Sequence, residues 1–175
     1  RARLDRANGN HDNQVIFGYS TDTNTLEIAA GHTLRGAGKL GYNGNLSSGR
    51  LVVINHGDVI ADNPNAFLMV MTLPNTTPSV PYSLVNTGSM RAENGSRMWI
   101  TTAMNNAGGL LEARDGSSID LGASVLGGML RTVGSGRIFT DGTNASATFL
   151  TSVTIEGRVE ATSGNEMNFG LNGLT

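Results

Sequence analysis

Apolar and polar residues alternate along this chain in short runs, and the runs are punctuated by Gly, Asn, Asp and Ser. The clearest runs share one phrase: Gly57-Asp-Val-Ile-Ala-Asp-Asn-Pro-Asn-Ala-Phe67, Gly88-Ser-Met-Arg-Ala-Glu-Asn-Gly-Ser-Arg-Met98, Gly109-Leu-Leu-Glu-Ala-Arg-Asp-Gly-Ser-Ser-Ile119 and Gly157-Arg-Val-Glu-Ala-Thr-Ser-Gly-Asn-Glu-Met167. Period-two alternation predicts a strand, the Asn/Asp-Gly-Ser segment a tight turn, and the apolar residue beyond it the start of a second strand. Recurrence at a period of about 20 residues predicts a solenoid, in which each repeat buries its apolar face only against its neighbours.

The glycines at 57, 88, 109, 128 and 157 are 31, 21, 19 and 29 residues apart, giving two short rungs and two long ones. The extra length of the first long rung falls at Leu73-Pro-Asn-Thr-Thr-Pro-Ser-Val-Pro81, whose prolines suit a protruding loop. That of the second falls in an insertion from 141 to 152. Gly128-Met-Leu-Arg-Thr-Val-Gly-Ser-Gly-Arg-Ile138 is a variant rung and Leu34-Arg-Gly-Ala-Gly-Lys-Leu40 an earlier relative, for about six rungs of three strands each.

In each rung the first strand points residues such as Gly88, Met90 and Ala92 inward. The second contributes pairs such as Phe67/Met69, Met98/Ile100, Ile119/Leu121 and Met167/Phe169. The third contributes Leu51/Val53, Leu84, Met104, Val125 and Val153/Ile155. On the outside of the first strand one column reads Ile60, Arg91, Glu112, Arg131, Glu160, alternating in sign over its last four members. Opposite charges in neighbouring rungs, about 4.8 Å apart, favour this register over its alternatives.

The composition fits many short strands: 24 Gly and 15% charged residues, with no long run of apolar residues at helical spacing. A formal charge of −2 and the lack of Lys/Arg runs argue against nucleic acid as a partner. With no Cys there is no disulfide framework, thiolate metal site or Cys nucleophile, and no apolar stretch is long enough for membrane insertion by a helix. Residues 1–13 are polar and are expected to form an N-terminal arm or linker, with the solenoid domain spanning 14–175 as part of a longer chain or assembly.

Val85-Asn-Thr-Gly-Ser-Met-Arg-Ala-Glu-Asn-Gly-Ser, Asn105-Asn-Ala-Gly-Gly-Leu-Leu-Glu-Ala-Arg-Asp-Gly-Ser and the Gly-Gly and Gly-Ser-Gly of residues 127–138 resemble repeats of bacterial secreted and surface-exposed parallel β-helix proteins. That family includes autotransporter passengers and filamentous-haemagglutinin-type adhesins. The similarity covers about residues 25 to 170. It implies an all-β fold, a single right-handed parallel β-helix, an extracellular or cell-surface location, and a structural or adhesive role.

Other parallel β-helices cleave polysaccharides, so catalytic groups need weighing. Glycoside hydrolysis requires two carboxylates about 5 to 9.5 Å apart, and lyase chemistry an Asp-bound calcium with a basic residue nearby. Asp58 and Asp62 are expected on one outer strand face and Asp62 and Glu93 in one column, with Arg91 and Arg114 near enough to make this a solvated, ion-paired face instead. No strand carries several Asp on one face beside a Lys or Arg of the next rung, which weakens the lyase reading. His11, His32 and His56 are scattered and suit exposed turns better than a metal pair. No Gly-x-Ser-x-Gly elbow occurs, Gly36-Ala-Gly38 lacks a phosphate loop's third glycine and reads as a corner, and calcium-binding nonapeptides are absent. No cofactor is therefore expected, a Ca²⁺ ion on Asp-rich turns being the weaker alternative.

Alternation points Trp99 outward, with Arg97 and Arg114 nearby, so Trp99 and Arg97 are candidates for stacking on a surface glycan or a partner subunit, and Asp62 and Glu93 for polar contacts to one. Packing beneath the 73–81 loop is the equal alternative for the indole. The sequons at Asn45, Asn75, Asn94 and Asn144 read as turn chemistry, with Asn75 in an exposed loop.

The last rung, ending at Gly170-Leu-Asn-Gly-Leu-Thr175, shows no third strand and no capping helix, so continuation of the chain or self-association through the solenoid ends is expected. Three function classes follow: a non-catalytic stalk, adhesin or filament segment; a glycan-binding or glycan-cleaving module; and a trimeric tailspike-like fibre. An antiparallel β-sandwich is the competing fold, though it would not need one phrase in successive segments. The inward Ala of the phrase stands beside a turn where two faces meet, so Ala113→Leu is expected to overpack and destabilise by about 1 to 3 kcal/mol, read as a lowered urea midpoint.

Overall fold

The alternating runs do form strands, and the strands wind into a parallel β-helix. The computed structural model describes residues 2–4, 15–16, 18, 23–41, 50–72, 82–140, 148–162 and 166–170. Sheet A contains Ala2–Leu4, Thr33–Gly36, Asp58–Ala61, Ser89–Ala92, Leu110–Ala113, Met129–Thr132 and Thr154–Glu156. Sheet B contains Val15–Ile16, Gly38–Gly41, Phe67–Met71, Arg97–Ile100, Ser118–Leu121, Arg137–Thr140 and Val159–Ala161. Sheet C contains Thr23–Ile28, Arg50–Asn55, Leu84–Asn86, Met104–Asn105, Val125–Leu126, Thr148–Thr151 and Met167–Phe169. Each sheet takes one strand from each rung in chain order, and each described pairing is parallel, which rules out the antiparallel sandwich.

Stacking in register puts like residues over like. Leu34, Val59, Met90, Leu111 and Leu130 form one inward column of sheet A, and Leu68, Met98, Ile119 and Ile138 one of sheet B. Val53, Leu84, Met104, Val125 and Leu150 complete the triangle from sheet C. From Val59 inward these side chains are essentially inaccessible to water, and burying each contributes about 1.5 to 3 kcal/mol. Ala61, Ala92 and Ala113 follow one another at the corner into sheet B, all buried, where the walls converge and leave room only for a methyl group.

A second inward column of sheet C is polar. Asn55, Asn86 and Asn106 are fully buried, and the Asn55 amide donates to the Asn86 Oδ1 at 2.7 Å, the Asn86 amide to the Asn106 Oδ1 at 2.6 Å. The same amides reach backbone carbonyls: Asn55 that of Ser89, Asn86 that of Leu110, Asn106 those of Gly109 and Gly127. The ladder thus satisfies the corner where strand hydrogen bonding lapses between sheets C and A. Close packing there leaves no space for a side chain at Gly88, whose added Cβ would strike the Gly57 carbonyl oxygen. Thr72, Ser83 and Thr102 bridge the corner between sheets B and C in the same manner, with Thr72 Oγ1 2.6 Å from Ser83 Oγ.

The structure revises the expected register in four places. First, the described strands make seven rungs instead of about six, and Ala2–Leu4, inside the stretch expected to be an arm, pairs with Leu34–Gly36 as the first strand of sheet A. Second, Leu68 and Val70 point inward, not Phe67 and Met69. The corner between Ala61 and Phe67 holds five residues, Asp62-Asn-Pro-Asn-Ala66, whereas that between Ala92 and Arg97 holds four. The extra residue shifts the following strand by one and exchanges its faces.

Third, the offsets of 31, 21 and 19 hold, but Met129 then pairs with Thr154, an offset of 25. Gly157 therefore follows its sheet A strand instead of preceding it. Val159 and Ala161 lie on sheet B, Met167 and Phe169 on sheet C, and Ile155 on sheet A. Gly157, with φ at +101°, turns the corner in one step, as Gly36 and Gly38 do at +125° and +138° in the second rung. The charge column accordingly ends at Glu156, not Glu160. Fourth, the last rung has its third strand, and the expected 141–152 insertion contains the strand Thr148–Thr151. The loop at 73–81 and residues 141–147 lie outside the described residues.

Replacing Asn86 with Ala breaks the asparagine ladder at its centre and strands buried polar groups on both sides. The expected loss is about 1 to 3 kcal/mol, measured as a lowered urea midpoint, with a smaller loss for an Ala substitution at the exposed neighbour Thr87.

Candidate functional site

The four candidate residues fall into two groups on adjacent faces. Asp62 and Glu93 stand one rung apart just past the end of sheet A, as expected, and Arg35 of the preceding rung clamps them. Its Nε and Nη2 donate to Asp62 Oδ2 at 2.9 and 2.5 Å, and Nη2 lies 3.8 Å from Glu93 Oε1. Arg91 bonds Glu93 at 3.1 Å and Asp58 at 3.3 Å, and Arg114 lies 3.5 Å from Glu93.

The network continues along the axis. Glu112 accepts from Arg114 Nε at 2.5 Å and from Arg131 Nε at 2.6 Å, and Arg131 reaches Glu156 at 3.9 Å. Arg35, Ile60, Arg91, Glu112, Arg131 and Glu156 occupy successive places in one outward column, so the register itself brings these charges together. A groove of about 630 Å³ runs beside them, with Glu93, Glu112, Arg114 and Arg131 among its walls.

Several of these carboxylates are outward in register yet shielded from water. The Asp62 side chain is 4% exposed and that of Glu112 2%, because arginine side chains lie across them. Burial by itself raises the Glu112 pKa. Hydrogen bonds from Arg114 and Arg131, together with their charges, outweigh that effect and hold the carboxyl below its ordinary value. Glu112 is thus held as an anion, the opposite of the raised pKa a glycosidase's general acid requires.

The second group occupies the outer face of sheet B. Trp99 points outward and is half-buried, with its ring edge-on to Phe67 at 6.3 Å. Arg97 lies over Trp99 at 5.8 Å and over Phe139 at 5.9 Å, and its Nη2 is ion-paired to Asp120, a fully buried carboxylate. Two rungs along the same column, Arg137 lies 5.3 Å over Phe139 and bonds Glu160 at 3.1 Å. The Arg137 hydrogen bond lowers the Glu160 pKa; burial opposes this, and the charges of Arg137 and Arg158 assist it. Arg114, expected both beside Trp99 and at the acidic face, pairs with Glu93 and Glu112 at the sheet A corner.

Sequence reasoning passed over Arg35, Asp120, Arg137 and Phe139. The pairing of Trp99 with Asp120, of Asp120 with Phe139 and of Ser118 with Arg137 is the signal that identifies the last three, and that of Arg35 with Ile60 the first; all require the rung register. His56 lies at a corner, its Nδ1 2.6 Å from Thr87 Oγ1 and Nε2 3.9 Å from Glu27, while His11 lies outside the described residues. Among the described residues, no cluster of three or more His, Asp or Glu could hold a metal ion, and no helix is long and apolar enough to cross a membrane. Asn94 is exposed in a turn at φ +59°, in keeping with turn chemistry; Asn45, Asn75 and Asn144 lie outside the described residues. Comparison of the chain with protein-family models, curated proteins and solved structures finds no match.

The lowered Glu112 pKa gives a pH dependence of known sign. A carboxylate whose folded-state pKa lies below its unfolded value stabilises the fold fully above the unfolded value, and that contribution is lost as pH falls through the folded one. Glu112→Gln should therefore lower the urea midpoint at neutral pH, with the gap to the wild-type chain narrowing as pH drops below the ordinary value of 4.5. A gap that stays constant down to pH 3 would contradict the assignment.

Proposed function

We propose that this chain is a non-catalytic structural or adhesive segment of a bacterial extracellular or cell-surface β-solenoid, serving as a stalk, adhesin or self-assembling filament subunit. The observation that carries the reading is the state of the outermost described rungs. In the last, Phe169 is 48% exposed in the column that Leu150 fills one rung earlier, and Ile155, Val159 and Met167 are only partly covered. At the first, Ile16, Leu26 and Ile28, with Leu34 of the second rung, line a largely apolar cavity of about 420 Å³. Open columns of this kind are covered most simply by further rungs of similar section, from the same chain or a second copy.

The paired state of the acidic corner supports a non-catalytic role: Asp58, Asp62, Glu93, Glu112 and Glu156 all stand against arginines. The surface location rests on the resemblance in repeat sequence. A second reading, a glycan-binding module, draws on the outward indole of Trp99 with Arg97 beside it, and on Arg137 over Phe139 further along the same face.

Electron microscopy and sedimentation of concentrated protein test the filament version. Rods that lengthen with concentration are expected, and Phe169→Arg should shorten them several-fold. Particles that stay monomeric at every concentration would reject axial self-association.

A further inference from the structure

We propose that the outer face of sheet B is a binding track for an anionic polysaccharide, whose carboxylate or sulfate groups meet Arg97 and Arg137. The proposal rests on the glycan-binding reading above and narrows it to a ligand class and a pair of recognition residues. Three observations carry it. The first is pre-organisation. The Arg97 guanidinium lies between the rings of Trp99 and Phe139, and that of Arg137 over Phe139. Asp120 and Glu160 hold one edge of each. Arginines fixed in this way lose little further freedom on binding, and the planar fork matches a carboxylate or sulfate.

The second observation is spacing. Arg97, Ser118 and Arg137 succeed one another in one outward column, so the two arginines stand two strand spacings, about 9.6 Å, apart along the axis, and each reaches to an acid one rung further on. The residue between them, Ser118, is short and uncharged. Sparse anions at that interval suit an extended polysaccharide charged on alternate sugars better than a nucleic acid charged at every nucleotide. A peptide would bind by extending a sheet edge, and the strands carrying this face are already paired on both sides.

The third observation is charge. On the outer face itself Lys39, Arg97 and Arg137 outnumber Asp120 and Glu160 by one, although the chain as a whole carries −2. Screening within about 8 Å at physiological salt makes such local charge count for more than the net charge of the chain. The Arg97 and Arg137 side chains are 42% and 55% exposed, within reach of a ligand.

Trp99 is the only tryptophan, so its fluorescence reports directly on the track. The intact chain is titrated with chondroitin sulfate, polygalacturonate, neutral dextran and single-stranded oligodeoxythymidine. Saturable emission changes with the first two, weakened by salt and absent with the others, are expected. Arg97→Lys/Arg137→Lys keeps the charge and loses the stacked fork. With an unchanged urea midpoint it should bind about tenfold or more weakly, and Arg97→Ala/Arg137→Ala more weakly still. Dextran binding as tightly as the acidic polymers overturns the anionic class and leaves the glycan reading standing. Silence from every polysaccharide removes both. An oligonucleotide that binds as well as the acidic polymers, or a lysine variant with undiminished affinity, overturns the proposed site.

Discussion

The strands of this solenoid direct their backbone amides along the axis, so each described strand is satisfied by the rungs next to its own. Strands accomplish that along the three faces. At two of the corners the strand pattern stops, and there buried polar side chains copy the same axial repeat. The ladder of Asn55, Asn86 and Asn106 is the clearest case: a primary amide both donates and accepts, so it can pass a hydrogen bond from one rung to the next indefinitely. The hydroxyls of Thr72, Ser83 and Thr102 serve another corner with fewer bonds.

The same in-register stacking organises the outer faces. Carboxylates stand over arginines because rung follows rung, and the long arginine side chains lie across the acids below them. Asp62, Glu112 and Asp120 are left nearly inaccessible to water but paired. Exposed pairs contribute at most about 1 kcal/mol each. Removing one partner from a buried pair leaves an uncompensated charge, which makes these arginines sensitive positions. The two faces differ in what they offer a partner: on sheet A arginine and carboxylate alternate in a single column, whereas on sheet B guanidinium groups lie over aromatic rings at 5.3 to 5.9 Å.

Much of the architecture was legible in the recurring phrase. Met90, Ala92, Leu111 and Ala113 lie inward as alternation indicates, and Arg91, Glu112 and Arg131 align outward as their signs suggest. Of the candidate site, the adjacency of Asp62 to Glu93 and the outward turn of Trp99 could also be read. Arg35 could not, because its rung closes through the short Gly36-Ala37-Gly38 corner and lacks the phrase's turn. Phe67 changes face because alternation repeats every two residues, so a corner longer by one exchanges the faces without altering the pattern; Gly157 changes place because its rung advances by 25 residues instead of 29 on sheet A, which carries the strand after it onto sheet B.

The sequence by itself determined that the chain is a stack of short parallel strands, that its walls are apolar in alternation, and that small residues stand at the turns. Those properties are local, set by side-chain size, backbone freedom at glycine, and period. Tertiary structure alone decided how many residues each corner takes up, and hence which side chains of distant rungs meet. The asparagine ladder, the Arg35 clamp on Asp62 and Glu93, and the contacts of Arg97 with Asp120 and Phe139 all join residues some 20 to 60 positions apart. Such contacts depend on the accumulated register of the stack, which no local pattern encodes.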